Sequence, residues 1–282
     1  MEGKLYLCAT PIGNLEDITF RVIRTLKEVD LIAAEDTRHS IKLLNHFEIN
    51  TPMTSYHEFN KIDKGKYLIE QLKTGLNIAL ITDAGTPGIS DPGEELVKMA
   101  YGAGIEVTSL PGPAACITAL TLSGLSTRRF AFEAFLPADK KEKQFVLKEL
   151  QNETRTIILY EAPHRLVKTL KELQEALGER KMTLVRELTK KYETAFCTTI
   201  SEAIQYYNEQ GPKGECVILI EGRLQKDIEK EDQEQWKALT VQEHMDIYLN
   251  KGMDKKEAMK AVSTDRGVAK REIYQMLLDD RK

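Results

Sequence analysis

The chain has 282 residues but only four cysteines, Cys8, Cys116, Cys197 and Cys216, none close to another. That spacing forms no zinc motif, and a cytosolic setting disfavours disulfides. The five histidines (His39, His46, His57, His164, His244) form no HExxH-like pattern, so no metal site is expected. No apolar run approaches the roughly 20 residues that span a bilayer. Met1-Glu2-Gly3-Lys4-Leu5 leads directly into a strand-like run without a signal-peptide pattern, so a cytoplasmic protein is expected. Basic charge is not in excess. The formal net charge is −4, so the chain as a whole is not a basic nucleic-acid binder. There is no GxGxxG and no GxxxxGK[ST], which disfavours a standard dinucleotide fold and a P-loop nucleotide hydrolase. Internal repeats and low-complexity tracts are missing too.

What is present suits a soluble globular protein of two ordinary domains: 41% hydrophobic and 30% charged residues over 282 positions. Residues 1–117 alternate strands and helices. Lys4–Ala9, Leu31–Ala34, Asn77–Thr82 and Ile105–Leu110 read as strands. Helical spacing links Ile18, Val22, Leu26 and Val29, then Tyr67, Leu68 and Leu72, then Leu96, Val97 and Ala100. This alternation predicts a largely parallel sheet covered on both faces.

Phe135 to Lys141 reads as a hinge, and residues 118–222 as a second α/β domain. Its strands are Thr156–Tyr160, Met182–Arg186 and Cys216–Ile220. Leu166, Leu170, Leu173 and Leu177 make a helix stripe closed by Gly178. Residues 223–235 are polar and mostly acidic, and read as a flexible tether. Residues 236–282 hold three short helix signals, Val241–Leu249, Asp254–Val262 and Val268–Leu278, with Ala269, Ile273, Met276 and Leu277 on one face of the third. Asp254 and Glu257 are spaced as a capping box, and a turn near Asp265-Arg266-Gly267 suggests a helix-turn-helix-like tail. Between Lys251 and Arg271 seven basic residues face three acids, a net of 7 − 3 = +4. The patch reads either as a phosphate footprint or as a solvated helix face.

Three strand ends in the first half run into Pro/Gly loops: Thr10-Pro11-Ile12-Gly13, Asp83-Ala84-Gly85-Thr86-Pro87 and Pro111-Gly112-Pro113-Ala114-Ala115. One such loop is an ordinary connection. Three suggest a ligand site at the carboxyl ends of the strands.

With Ala34-Glu35-Asp36-Thr37-Arg38 and the run Gly88-Ile89-Ser90-Asp91-Pro92-Gly93, these motifs resemble the tetrapyrrole-methylase superfamily. Tyr160-Glu161-Ala162-Pro163-His164-Arg165 and Val185-Arg186-Glu187-Leu188-Thr189-Lys190 extend the resemblance, which covers about the first 222 residues and the tail. The first loop of its carbon-methylating members usually reads G-x-G-x-G-D. Here it reads Thr10-Pro11-Ile12-Gly13-Asn14, which favours the ribosomal-RNA branch.

The resemblance implies two α/β domains with S-adenosylmethionine in the cleft between them, and a homodimer. It implies methyl transfer to the ribose 2′-hydroxyl of a cytidine in the decoding region of 16S rRNA. It also places Pro11, Asp83, Gly85, Thr86, Pro87, Ile89, Gly112 and Ala114 around the methionine and ribose of the donor, with Tyr160 and Leu188 on its adenine. Tyr160 reads equally as a core aromatic.

In-line attack on a sulfonium methyl needs donor and acceptor held in near-attack geometry, which can remove about 7–11 kcal/mol at best. The hydroxyl is a weak acid, so a base or strong acceptor helps. Glu35 and Asp36 are candidates for it, or else cap a helix and pair with Arg38. His57 is another candidate base, or an RNA-stacking residue beside Tyr56, or structural. Arg38, Arg186 and Lys190, with Lys255, Lys256, Arg266, Lys270 and Arg271 of the tail, are candidate phosphate contacts; for Arg186 and Lys190 the other reading is surface charge. Two other readings stay open: a tetrapyrrole C-methyltransferase, and a helix-turn-helix regulator with a ligand-sensing body.

Overall fold

The computed structural model describes residues 2–211 and 214–279, apart from the side chains of Asp232 and Gln235. The first sheet is built from β1 (Lys4–Cys8), β2 (Leu31–Ala34), β3 (Met53–Ser55), β4 (Ile78–Ile81) and β5 (Glu106–Leu110). Its order is β3-β2-β4-β1-β5, and every pair is parallel. Four helices connect the strands: α1 (Phe20–Glu28), α2 (Thr37–His46), α3 (Lys61–Lys73) and α4 (Gly93–Gly102).

All four residues of β4 are buried, as a strand covered on both faces requires. Ile78 and Leu80 pack with Leu68 and Leu72 of α3 and Leu96 of α4. Ala79 and Ile81 point the other way, into the core of Val22, Leu26 and Leu44 from α1 and α2. The parallel, two-sided sheet expected from the alternation is therefore present. Helix α2 lacks a matching sequence signal because it buries only Ser40 and Leu44.

The second sheet has β6 (Phe130–Ala134), β7 (Thr156–Glu161), β8 (Lys181–Arg186), β9 (Thr194–Thr199) and β10 (Cys216–Ile220), in the order β6-β7-β10-β8-β9. Only β6 and β7 run parallel. Around it lie α5 (Ala115–Leu122), α6 (Lys140–Leu150), α7 (Leu166–Leu177) and α8 (Ile200–Gln210). Gly178 ends α7 at φ +71°, as its sequence position suggested. The hinge expected at Phe135 to Lys141 is instead the connection from β6 to α6. Strand β6 already belongs to the second sheet, so the crossing between sheets occurs earlier, through α5.

Both sheets lie in one compact unit, residues 1–147 with 156–221; residues 148–155 with 222–282 form another. In the latter, the tether expected at 223–235 is a helix, α9 (Gln225–Lys237). It has no apolar stripe to announce it. Arg223 pairs with Glu231 near its start, and Trp236 anchors its end. Then come α10 (Val241–Asn250), α11 (Lys255–Asp265) and α12 (Lys270–Asp279) around Val241, Met245, Ala258, Met259, Val262 and Ile273. The capping box forms: Asp254 accepts from Lys256 and Glu257 N–H, and Glu257 accepts from Asp254 N–H. Met276, expected on the inner face of the last helix, is exposed.

A buried polar cluster fastens this unit. His244 stacks on Trp236, with centroids 3.9 Å apart and planes at 9°. Its Nε2 lies 3.1 Å from Asp265 Oδ2, and its Nδ1 accepts from Arg266 Nε at 3.2 Å. The proton therefore sits on Nε2. The Tyr248 hydroxyl donates to the same Asp265 oxygen, and Arg266 also donates to the carbonyls of Leu239 and Thr240. Burial pulls the imidazole below its ordinary value, against the opposing pull of Asp265.

The sign follows from linkage. The unfolded chain takes up the proton near pH 6.5, and the folded chain only at a lower pH. Stability from neutral His244 is complete above that value and is lost as the pH falls below it. Trp236 is the only tryptophan. Its emission is expected to change as the pH falls below 6.5, and not to change in His244→Gln. Emission independent of pH in the parent chain would contradict the assignment.

Among the described residues, no helix is long and apolar enough to cross a membrane, and no group of three or more His, Cys, Asp or Glu side chains could hold a metal ion. All four cysteines are free.

Candidate functional site

A cavity of about 330 Å³ opens where the two sheets present their strand ends. This is the size range of small-molecule sites. One wall comes from the carboxyl ends of β2 and β4 and the loops after β1 and β5. The other comes from the carboxyl ends of β7 and β8 and the amino end of β10, which runs antiparallel to them.

The first wall is one hydrogen-bonded frame. Thr10 and Gly85 exchange backbone hydrogen bonds of 2.9 and 3.0 Å, and Thr10 Oγ1 donates to Thr82 O at 3.0 Å. Thr86 Oγ1 donates to Pro113 O at 2.8 Å, joining the β4 and β5 loops. A Cβ on Gly112 would lie 2.5 Å from the Cβ of Ala9, so only glycine lets the β5 loop close against β1. Gly85 and Gly88 have φ of +90° and +87°, and Ser90 is held at +63°. Strained backbone of this kind concentrates at ligand sites. The Asp91 carboxylate receives Gly88 N–H at 2.9 Å and Gly93 N–H at 2.7 Å. Burial raises its proton affinity, and the two N–H groups oppose that rise.

Three acids meet beside this wall, Glu35, Asp83 and Asp36, of which Asp36 does not line the cavity. Glu35 Oε2 accepts from Thr82 Oγ1 and from Asp83 N–H at 3.4 Å. Asp83 Oδ1 accepts from Asp36 N–H at 3.1 Å and lies 3.8 Å from His39 Nδ1. Desolvation, then the Glu35 charge, push the Asp83 carboxyl upward. Asp36 behaves oppositely. Its carboxylate caps α2 and grips the Arg38 guanidinium at 2.8 and 3.1 Å, which holds it down at about 2.

On the second wall the Tyr160 hydroxyl accepts from Cys116 N–H at 3.0 Å, at the start of α5. Its ring packs edge-on against Phe132 and Phe135. Burial raises its phenol above the ordinary range. Leu188 sits between Glu187 and Thr189, both at positive φ. Glu161 is buried, accepts from Ala162 N–H at 2.8 Å and Thr169 Oγ1 at 2.6 Å, and is ion-paired with Arg165 Nε at 3.4 Å. Gly13 seals the walls together, because a Cβ there would lie 2.8 Å from Leu188 O.

The structure brings many sequence candidates to the cavity: Glu35, Asp83, Gly85, Thr86, Ile89, Ala114, Tyr160, Leu188 and Lys190 all line it. Pro11, Pro87 and Gly112 lie in the loops of this wall but do not line the cavity. Asp36, Arg38, His57 and Arg186 do not line it either. His57 is half-buried, its N–H bonded to Asn60 Oδ1. Its expected stacking neighbour Tyr56 is fully buried and donates to Pro92 O at 3.0 Å, so Tyr56 is a core residue. Arg186 lies over the Tyr207 ring.

In the tail, Lys255, Lys256 and Arg271 are exposed. Lys270 donates to Lys256 O at 3.2 Å, and Arg266 is the internal brace already described. Missed by sequence reasoning were Ile12, Asp91, Cys116, Phe135, Glu161 and Glu187. Asp91 had a signal, since an acid between Gly88 and Gly93 can cap both glycine N–H groups. The amino end of β10 had none, because strand direction in a mixed sheet is not written in composition.

Comparison with known proteins gives the following. Residues 4–204 match the family described as Tetrapyrrole (Corrin/Porphyrin) Methylases. The chain is 51% identical over 272 residues to the ribosomal RNA small subunit methyltransferase I of Bacillus subtilis (strain 168), covering 96% of this chain and 93% of that protein. It is 47% identical over 278 residues to the protein of the same name from Synechocystis, covering 98% of each. Among solved structures, a diphthine synthase aligns with TM-score 0.62 at 13% identity, over 78% of this chain and 90% of that one. Thermus thermophilus uroporphyrin-III C-methyltransferase complexed with S-adenyl homocysteine aligns with TM-score 0.55 at 18% identity, over 77% and 97%. At those identities the two structures speak for the fold alone.

Proposed function

The chain belongs to the tetrapyrrole methylase family, and we propose that within it the protein is a cytoplasmic S-adenosylmethionine-dependent methyltransferase that modifies the ribose 2′-hydroxyl of a cytidine in the decoding region of 16S rRNA. The observation that carries this reading is the 51% identity to a ribosomal RNA small subunit methyltransferase I along 96% of the chain.

The residues present fit the donor. A cavity of about 330 Å³ is edged by backbone that approaches closely at Gly85 and Gly88, and its far wall carries the flat Tyr160 ring and Leu188. When bound, S-adenosylmethionine supplies an electrophilic methyl group. Backbone groups of the Asp83–Ile89 loop and of Ala114 hold the methionine and ribose parts, while Tyr160 and Leu188 bracket the adenine. Pro11, Pro87 and Gly112 stiffen the loops. The two walls exclude water from the reacting atoms and fix the line of attack, which is where most of the rate enhancement arises.

Phosphate contacts come from Arg38, whose side chain is 90% exposed, from Lys190 at the cavity wall, and from Lys255, Lys256 and Arg271 of the tail. Such contacts position the RNA rather than read its sequence. Arg186, Arg266 and Lys270 serve first as braces. A homodimer belongs to the same reading.

The test uses purified protein, S-adenosylmethionine labelled in the methyl group, and undermethylated small ribosomal subunits. Label in the RNA is expected. Donor binding without label in RNA would move the tetrapyrrole reading to the front. Donor binding without any turnover would favour the regulator.

A further inference from the structure

We propose that Asp83 is the catalytic residue that receives the proton of the acceptor hydroxyl. This rests on the methyl-transfer reading above and adds to it a named base. The step balances. The hydroxyl oxygen forms a bond to the methyl carbon, the sulfur–carbon bond breaks with its electron pair going to sulfur, and the hydroxyl proton passes to Asp83. A sulfonium cation, an alcohol and a carboxylate become a thioether, a methyl ether and a carboxylic acid.

The inference comes from comparing carboxylates near the cavity; Glu215 also lines it, exposed and one residue before β10, on the wall opposite Asp83. Glu161 has a fully buried side chain, accepts from Ala162 and Thr169, and is ion-paired with Arg165. Asp91 is bound to Gly88 and Gly93 N–H and is needed there. Glu187 pairs with Lys190 at 3.1 Å. Asp36 lies off the wall, locked by Arg38 and the α2 terminus. Glu35 lines the cavity, but one of its oxygens straps Thr82 Oγ1 and Asp83 N–H together. His57 is off the wall.

Glu35 likewise has its donors on a single oxygen, but it is half-buried, whereas Asp83 is exposed to the cavity. Asp83 lines the cavity at the end of β4, two residues before the glycine that adjoins Thr10. Its side chain is 44% exposed. Oδ1 is fixed by Asp36 N–H, and among the described residues no donor reaches Oδ2. A carboxylate with one oxygen anchored and one free is oriented without being consumed.

Its surroundings also favour accepting a proton. Glu35 and Asp36 face it from the end of β2, with Arg38 engaged by Asp36, and His39 faces it from α2. Desolvation and the Glu35 charge raise its proton affinity, whereas Asp36 is held near 2. Proton affinity matched to the task is what general-base catalysis needs. In this arrangement Glu35 is a positioning residue, holding the Asp83 backbone through its N–H.

The experiment compares Asp83→Asn, Asp83→Glu and the parent chain in three readouts: single-turnover methyl transfer to undermethylated small subunits, its pH profile, and equilibrium binding of S-adenosylhomocysteine. For Asp83→Asn the expected result is a rate loss of about 100-fold or more and loss of the acid limb of the pH profile. Product-analogue affinity should stay within about threefold, and Asp83→Glu should recover part of the rate with an acid limb. A parent-like rate in Asp83→Asn would overturn the inference. So would unchanged turnover with lost affinity, which would make Asp83 a donor ligand. Lack of label with the parent chain would overturn the methyl-transfer reading and this inference with it.

Discussion

Asp91→Ala is expected to weaken donor binding by roughly 100-fold while leaving both sheets folded. The carboxylate takes Gly88 N–H on both oxygens at 2.9 Å and Gly93 N–H at 2.7 Å. Alanine leaves two half-buried donors without a partner, at about 1–3 kcal/mol each. The chain's escape is to let the loop from Thr86 to Gly93 leave its conformation, in which Gly88 and Ser90 both hold positive φ. A loop that must be reordered on binding charges roughly 3 kcal/mol against affinity, which is about 100-fold. Asp91→Asn keeps one acceptor and should fall between. Isothermal titration with S-adenosylhomocysteine measures the effect, and unchanged affinity in Asp91→Ala would show that this loop does not touch the donor.

Glu161→Ala is expected to be the most destabilising single change at the site, costing about 3–5 kcal/mol. Its side chain is wholly buried, accepts from Ala162 N–H and Thr169 Oγ1, and forms an ion pair with Arg165 at 3.4 Å. Removing it strands the buried Thr169 hydroxyl and the Ala162 N–H and takes the counter-charge from Arg165, whose side chain is 36% exposed. Glu161→Gln preserves the shape and one oxygen acceptor, so a loss of about 1–2 kcal/mol is expected instead. Urea unfolding followed by circular dichroism compares the two. Equal stabilities would mean that Arg165 turns outward to solvent and that the carboxylate only fills space.

Particular residues show why parts of the fold could be read from sequence. The strand Ile78–Ile81 is buried on both faces, so its whole length is apolar and its parallel neighbours follow. The three Pro/Gly loops were legible because their glycines answer steric demands, as Gly112 does against Ala9. Helix α9 was not legible. Its residues are mostly polar and charged, and the aromatic Trp236 comes only at its end. The second sheet was only half legible, since β9 is an edge strand with Thr194, Ala195 and Cys197 exposed and no alternation to mark it.

The site shows the same division. Loop chemistry pointed to Asp83, Gly85 and Thr86, while the residues β10 brings to the cavity depend on its antiparallel direction. Glu35 and Asp36 are the first candidate bases in sequence, with His57 second. They separate only when their partners are seen: a strap, a helix cap with an arginine clamp, and a half-buried ring held beside Asn60.

The most direct measurement of the central claim is nucleoside mass spectrometry of small-subunit RNA. The RNA would come from cells lacking this gene, before and after incubation with the purified protein and S-adenosylmethionine. The account predicts one new 2′-O-methylcytidine per RNA, in the decoding region, gained by the parent chain and strongly reduced for Asp83→Asn. No gain of 2′-O-methylcytidine with a donor-binding protein, or methyl groups found only on bases or on a tetrapyrrole, would contradict it.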